Sequence, residues 1–218
     1  MKYYLDITLL PDAESNLGFL WHKIYLQIHL ALVENKVAEK DSAIATSFPK
    51  YGDKDFPLGD KLRLLAETHQ QLEDLNLTTW LARYSDYVHI KAIKTVPETI
   101  AEYAYFKRYR FKSIDNLKKG VDKRAAAIAA KNGYEVNEVK TRLLASIANL
   151  DKQSKLPYIN VSSLSTDKQL TEEQRRKFLL FIEQEKTPNP IGNNSLLTTY
   201  GLSRREHDKK VAVPLFEG

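Results

Sequence analysis

The order of hydrophobic patterns in the first 95 residues restricts the fold of this chain more than any other feature. Residues 3–10 alternate in polarity and stop at Pro11, which predicts a β-strand. Residues 16–34 carry apolar side chains at helical spacing along one stripe, and Ser15 or Asn16 can cap the first turn. The chain is therefore predicted to open with a strand and a long helix whose apolar stripe faces the core.

Two strands, a second helix and a fourth strand are predicted to follow. The strands at residues 43–49 and 61–68 are separated by a connection rich in glycine, proline and aspartate. Residues 69–84 have a helical pattern, and residues 87–96 have the pattern of a strand. The resulting order, β-α-β-β-α-β, predicts a ferredoxin-like (RRM-like) sheet with two helices on one face.

A change of pattern after Pro97 predicts a boundary between a ferredoxin-like domain at residues 1–97 and a second domain at residues 98–218. The second domain begins with a basic, aromatic strand or arm at residues 104–112. Its other predicted elements are helices at 115–132 and 136–150 and strands at 158–165, 177–184, 195–201 and 211–216. The predicted fold class is α+β in both domains, with a basic helix in the second.

The distribution of charge predicts a polyanionic partner. The chain has a net charge of +5, but residues 1–102 carry 11 Lys/Arg against 15 Asp/Glu, whereas residues 103–142 carry 11 against 4. A basic block of this kind is commonly only a solvated helix face. Here aromatic residues stand at one end of the block, which favours nucleic-acid binding.

The composition argues against several classes of protein. Without cysteine the chain can form neither a disulfide framework nor a thiolate metal site, which fits a reducing cytoplasm. No window approaches the roughly 18 uninterrupted apolar residues of a membrane helix, and no export signal is recognisable. Motifs for nucleotide hydrolysis, zinc proteolysis and calcium binding are absent. We therefore expect a cytoplasmic protein with no membrane span, no metal and no small-molecule cofactor.

Two histidines on the first predicted helix are candidates for a general base. Neutral imidazole is the usual base near neutral pH, and His22 and His29 fall about 20° apart around the helix. Both lie beside the apolar stripe, where a histidine hydrogen-bonded at a packing edge is the ordinary interpretation. Spacing alone does not distinguish His22 from His29.

Hydroxyl side chains along residues 158–166 form a second candidate group. Because alternate residues of a strand point to opposite faces, this segment would present hydroxyls on both faces. Such residues commonly serve only to solvate a strand. No acidic residue at a fixed offset indicates a Ser-His-Asp triad, and sequence order does not exclude one.

Several segments, taken in order, resemble one known family. They are YLDITLLPD at residues 4–12, IHLAL at 28–32, SFP at 47–49, LPYINVSSLST at 156–166, KFLLFI at 177–182, YGLS at 200–203 and VPLF at 213–216. Together they resemble the CRISPR repeat-processing endoribonuclease of type I-F systems, the Csy-type member of the Cas "six f" family. The resemblance runs along the whole chain in the correct order.

The resemblance implies a metal-independent endoribonuclease with a histidine base. It selects His29 over His22 and implies Ser163 and Tyr200 as the other catalytic residues. The ribose 2′-OH would attack the neighbouring phosphate at the base of a repeat hairpin, giving a 2′,3′-cyclic phosphate and a 5′-hydroxyl. Residues expected to contact the nucleotides at the cut are Ser165, Thr166 and Phe178.

The resemblance also assigns the basic block to recognition of the RNA stem. Arg108 and Arg110 are expected near base edges at the foot of the stem, with other cations on the phosphates. Those other cations are Lys112, Lys118, Lys119, Lys123 and Arg124. The helix is mostly lysine where the family has arginine, which predicts more phosphate contact and less base contact.

The implied partners are the hairpin of CRISPR repeat RNA, the mature crRNA and the other subunits of a type I-F interference complex in a prokaryotic cytoplasm. Two alternatives remain open from the residues themselves. One is a non-catalytic RNA hairpin-binding subunit of a ribonucleoprotein. The other is a regulator that binds double-stranded DNA, which competition between an RNA hairpin and a DNA duplex distinguishes.

Overall fold

A computed structural model of the chain describes residues 1–10, 12–110, 114–150, 156–162, 177–188 and 196–217. The chain forms two compact units, one of Met1–Tyr109 with Pro157–Gly218 and one of Arg110–Leu156. The domain boundary at residue 97 stays a prediction, and the strand that follows it belongs to the first compact unit.

The described residues contain six α-helices and eleven strands. The α-helices are α1 (Leu17–Glu34), α2 (His69–Glu73), α3 (Leu77–Trp80), α4 (Ile114–Lys119), α5 (Val121–Asn132) and α6 (Val136–Leu150). The strands are β1 (Tyr3–Leu9), β2 (Asp41–Ser42), β3 (Ala45–Ser47), β4 (Lys61–Ala66), β5 (Val88–Ile90), β6 (Lys94–Thr95), β7 (Glu102–Tyr109), β8 (Tyr158–Ser162), β9 (Lys177–Thr187), β10 (Leu197–Thr198) and β11 (Val213–Leu215).

The first sheet is built around β1. Its strand order is β3-β4-β1-β5, β6 also pairs with β1, and all these pairs are antiparallel. Leu5 lies opposite Leu64 and Ile7 opposite Leu62, and all four side chains are buried. The apolar positions of the two central strands therefore coincide in register and supply much of the core.

The helix α1 packs against strand β8 of a second antiparallel sheet, whose order is β11-β7-β9-β8. Asn16 caps the start of the helix, and its side chain accepts a hydrogen bond from the backbone N–H of Phe19. One continuous hydrophobic core contains side chains from α1 and from both sheets, among them Trp21 and Phe106. The position of α1 is thus fixed by packing on more than one side.

The helix predicted at residues 69–84 is wrong as a single helix. Here the chain forms α2, α3 and a short 3₁₀ helix at Ala82–Tyr87. Asn76 has a φ of 45°, a left-handed conformation that interrupts the helix and that asparagine tolerates better than most residues. The strand predicted at residues 87–96 is likewise divided into β5 and β6.

The chain has a mixed α+β structure with antiparallel sheets, as predicted for its fold class. In the second unit, α5 packs against α6 through Ala125, Ala129 and Val139. Small alanine side chains on one face of α5 thus allow a close helix pair. Among the described helices, none has both the length and the apolar character that a membrane span requires.

A buried ion pair joins the two central strands of the first sheet. Asp6 and Arg63 face each other across β1 and β4, and the guanidinium makes two hydrogen bonds to the carboxylate, at 2.7 and 3.0 Å. Arg63 also donates to the carbonyl of Phe216 at 2.8 Å and lies over the Phe216 ring. Because Asp6 and Arg63 are 0% and 1% exposed, neither charge can replace its partner with water.

Replacing Asp6 with alanine is expected to destabilise the protein by about 3–5 kcal/mol, since it leaves the Arg63 guanidinium buried without its carboxylate. Urea unfolding monitored by circular dichroism measures the loss. Lys186→Ala, which breaks the exposed ion pair with Glu102, is the matched control and is expected to cost about 0–1 kcal/mol. Equal losses in the two variants would contradict this account of the core.

Candidate active site

The imidazole of His29 is held by the turn that follows β10. His29 lies on α1, exposes 8% of its surface, and its Nδ1 is 2.9 Å from the carbonyl oxygen of Thr199. Since a carbonyl oxygen can only accept, the hydrogen bond places the proton of the neutral ring on Nδ1. The lone pair is then on Nε2, which is the form of the ring that can accept a proton.

Tyr200 covers one face of the His29 ring. The two rings are stacked, with their centroids 4.0 Å apart and their planes inclined by 8°. Stacking of this closeness restricts rotation of the imidazole about its side-chain bonds. Together, the Thr199 carbonyl and the Tyr200 ring determine the orientation of the histidine.

The turn from Thr198 to Gly201 is pressed against β3. Gly201 has a φ of +69°, and a Cβ placed there would lie 2.6 Å from Cγ2 of Thr46. The backbone N–H of Thr46 donates to the Gly201 carbonyl at 2.8 Å. Only glycine fits this close approach with a left-handed backbone, so the position of Tyr200 depends on the residue after it.

Burial sets the protonation state of the site. Loss of solvent lowers the pKa of His29 from its ordinary value of 6.5, the hydrogen bond to the Thr199 carbonyl opposes this change, and the charge of Arg108 adds to it. The lowered pKa means that His29 is neutral at neutral pH. A neutral imidazole with its lone pair on Nε2 is equipped to act as a base.

Arg108 and Phe178 extend the stack beyond Tyr200. The guanidinium carbon of Arg108, on β7, lies 4.9 Å from the centroid of the Phe178 ring and 5.7 Å from that of Tyr200. Phe178 lies on β9 and is partly buried. Four residues that the sequence identified separately, His29, Tyr200, Arg108 and Phe178, are therefore contiguous in the structure.

The second candidate histidine, His22, links α1 to strand β8. The Nδ1 of His22 lies 2.5 Å from the carbonyl oxygen of Asn160, which leads toward the serine-rich segment. The described part of this strand ends at Ser162. Other predicted site residues lie outside the described residues: Lys112, Ser163, Ser165 and Thr166.

The predicted stem-binding cations that are described lie in the second compact unit, apart from Arg108. Arg110 is exposed, and so are the four predicted stem-binding cations on α4 and α5, namely Lys118, Lys119, Lys123 and Arg124. The buried face of α5 is formed by Val121, Ala125 and Ala129. The cations therefore project into solvent while the small apolar residues pack.

Sequence reasoning missed the residues that hold the turn. The hydroxyl of Tyr25 donates to the Tyr200 carbonyl at 3.0 Å, and the hydroxyl of Thr46 donates to the same oxygen at 3.2 Å. Tyr25 lies on the apolar stripe of α1, where its ring is indistinguishable from an ordinary core residue. The four-residue spacing to His29 was the one signal available.

No group of three or more His, Asp or Glu side chains suited to a metal ion occurs among the residues that the structure describes.

Comparison with known proteins gives a consistent result along the chain. The family model described as "CRISPR-associated protein (Cas_Csy4)" matches residues 4–216. The chain is 28% identical over 204 residues to the CRISPR-associated endonuclease Cas6/Csy4 of Escherichia coli (strain UTI89 / UPEC), covering 93% of this chain and 96% of that protein. It is 26% identical over 208 residues to the protein of the same name from Pseudomonas aeruginosa (strain UCBPP-PA14), covering 94% and 96%. These matches confirm the resemblance seen in the sequence, and the chain belongs to the Cas_Csy4 family of CRISPR-associated proteins.

Proposed function

We propose that this chain is a metal-independent endoribonuclease that binds the stem-loop of CRISPR repeat RNA and cleaves the precursor at the base of the stem. The observation that carries the proposal is the fixed imidazole of His29, with Nδ1 bonded to the Thr199 carbonyl and one face covered by Tyr200. The names of the two relatives, both CRISPR-associated endonucleases, support the same class of activity.

His29 acts as the general base. Its Nδ1 and one ring face are already occupied, so the Nε2 edge is the part of the ring that can meet a substrate. The lowered pKa keeps this nitrogen unprotonated at neutral pH. Positioned proton transfer of this kind typically contributes about 10² to 10⁴ in rate.

The reaction needs only the substrate's own nucleophile. His29 removes the proton of the ribose 2′-OH, the 2′ oxygen attacks the adjacent phosphorus, and the bond from phosphorus to the 5′ oxygen breaks. The leaving oxygen takes up a proton, so the products are a 2′,3′-cyclic phosphate and a 5′-hydroxyl. Holding the 2′ oxygen in line with the breaking bond is the main task of the site.

Ser163, Ser165 and Thr166 are proposed to hold the nucleotide at the cut. The support comes from the neighbouring residues: the described part of β8 stops one residue before Ser163, and His22 attaches this strand to the same helix that carries His29. Ser163 would bind the 2′-OH. Tyr200, which is stacked on one face of the His29 ring, would keep the imidazole in place.

Arg108 and Phe178 are proposed to bind the nucleotides beside the cut. An arginine over an aromatic ring presents both a planar donor edge and a stacking surface, which suits a base at the end of a stem. The exposed cations Arg110, Lys118, Lys119, Lys123 and Arg124, together with Lys112, would follow the phosphates. Lysine supplies a point charge, so we expect these contacts to depend on salt more than on sequence.

The finer features of the fold are part of the same proposal. The strand order β3-β4-β1-β5, with α1 after β1, supports a ferredoxin-like sheet for residues 1–97. Residues 98–218 would form the domain that binds the hairpin. We further propose that the protein keeps its cleaved product and remains on the crRNA within a type I-F interference complex of the prokaryotic cytoplasm.

A non-catalytic RNA hairpin-binding subunit is the second candidate. The observation in its favour is the 8% exposure of His29, which leaves little of the ring accessible. In that case the histidine and Tyr200 would serve only to pack the turn against α1. The two functions differ in whether the parent protein cuts the hairpin at all.

Replacing His29 with alanine is expected to reduce cleavage of a repeat hairpin in EDTA by about 10² to 10⁴ while leaving RNA binding largely intact. Single-turnover cleavage on a gel measures the rate, and a mobility shift measures binding. His89→Ala, at an exposed position on β5, is the matched control and is expected to cut normally. Undiminished cutting by the His29 variant would contradict the role of His29 as the base, whereas a parent protein that binds the hairpin without cutting it would support the non-catalytic function.

The dependence of cleavage on pH follows from the lowered pKa of His29. Because the base is active only when neutral, kcat/KM is expected to rise with pH through the histidine's pKa and then to be level across neutral pH. The midpoint of the acid limb is expected below 6.5, the ordinary value. Single-turnover rates with the enzyme in excess over RNA but far below saturation, where the rate divided by enzyme concentration equals kcat/KM, give this profile between pH 5 and 8. A midpoint above the ordinary value would argue against the buried imidazole as the base.

A further inference from the structure

We infer that Tyr25 is a positioning residue for the histidine base, acting through the hydrogen bond that its hydroxyl donates to the Tyr200 carbonyl. The inference rests on the proposed function of His29. Tyr25 touches neither of the reacting groups, and its effect passes through the turn that carries Tyr200.

Tyr25 and His29 are attached to the same turn at two successive carbonyls. They are four residues apart on α1, which places them one above the other on one face of the helix. His29 binds the carbonyl of Thr199 at 2.9 Å, and Tyr25 binds that of Tyr200 at 3.0 Å. Two hydrogen bonds fix both the distance and the orientation of the turn relative to α1. A single hydrogen bond would still allow the turn to rotate about that bond.

The environment of Tyr25 keeps its hydroxyl in this role. The residue is 1% exposed, and its ring lies against those of Trp21 and Phe48. Burial raises the pKa of Tyr25, so the hydroxyl stays protonated and able to donate. A buried hydroxyl cannot exchange its carbonyl partner for bulk water, which makes the attachment persistent.

Loss of the hydroxyl would act on His29 rather than on the fold as a whole. The Thr46 hydroxyl still reaches the Tyr200 carbonyl, so the turn would stay against β3 while its attachment to α1 loosens. The link between the turn and α1 would then depend on the imidazole alone. A looser turn weakens the bond from Nδ1 to the Thr199 carbonyl, which admits the other tautomer and misaligns Nε2.

The test compares Tyr25→Phe with Tyr51→Phe in the full-length protein. Each change removes one hydroxyl that donates to a backbone carbonyl, but the Tyr51 hydroxyl binds Ile182 at 2.9 Å, on β9. Three quantities are to be measured for each variant. They are the rate of single-turnover cleavage of the repeat hairpin at saturating enzyme, the Kd for the hairpin, and the ring nitrogen shifts of His29 by long-range proton–nitrogen NMR.

Tyr25→Phe is expected to slow cleavage about tenfold with a Kd within about twofold of the parent protein. The share of His29 protonated on Nδ1 is expected to fall. The acid limb of the pH profile is expected to move to lower pH, because the bond to Thr199 raises the pKa of His29. Tyr51→Phe is expected to match the parent in all these measurements.

Two results would overturn the inference. One is a Tyr25→Phe variant whose cleavage rate and His29 nitrogen shifts equal those of the parent. The other is an equal loss of cleavage in Tyr51→Phe, which would indicate general destabilisation. If the parent protein itself does not cut repeat RNA, the proposed function fails, and the nitrogen shifts alone still decide whether Tyr25 orients the histidine.

Discussion

The hydrogen bond between His29 and the Thr199 carbonyl is the interaction on which the rest of the site depends. It joins α1 to a turn 170 residues later in the chain, and it determines which ring nitrogen carries the proton. Stacking on Tyr200 then fixes the plane of the ring. Burial contributes the remaining property, because it lowers the pKa of His29 and keeps the imidazole neutral. One side chain thus acquires its tautomer, orientation and charge state from three separate features of the fold.

The surrounding fold supplies rigidity where this interaction needs it. α1 packs against β8 and shares a core with both sheets, so the helix that carries the histidine cannot shift independently. Gly201 allows the turn to approach β3 more closely than any other residue would. At the centre of the first sheet, the buried pair of Asp6 and Arg63 ties β1 to β4 and to the backbone of Phe216. A site built on such elements is held more accurately than one built on loops alone.

Much of this arrangement could be predicted from the sequence, and the exceptions have physical causes. Periodicity identified β1 and α1, because long regular patterns reflect burial directly. It failed at residues 69–84, where the left-handed Asn76 breaks a pattern that is otherwise helical. Periodicity also could not distinguish His22 from His29, since both lie on one side of α1 and bind backbone carbonyls of distant segments. The resemblance to the Csy-type family separated them, and the family match along residues 4–216 confirms that resemblance. The role of Tyr25 was not predictable, because a buried tyrosine on an apolar stripe looks like any core residue.

In the proposed mechanism, the RNA supplies its own nucleophile, and the protein only positions it and removes a proton. The most direct measurement uses a repeat hairpin with a single 2′-deoxy sugar at the nucleotide before the cut, compared with the unmodified hairpin in EDTA. The proposed mechanism predicts that the deoxy hairpin binds with similar affinity and is not cut, while the unmodified one yields a 2′,3′-cyclic phosphate end. Cutting of the deoxy hairpin at the same position, or a product with a linear phosphate from the first moments of the reaction, would contradict it.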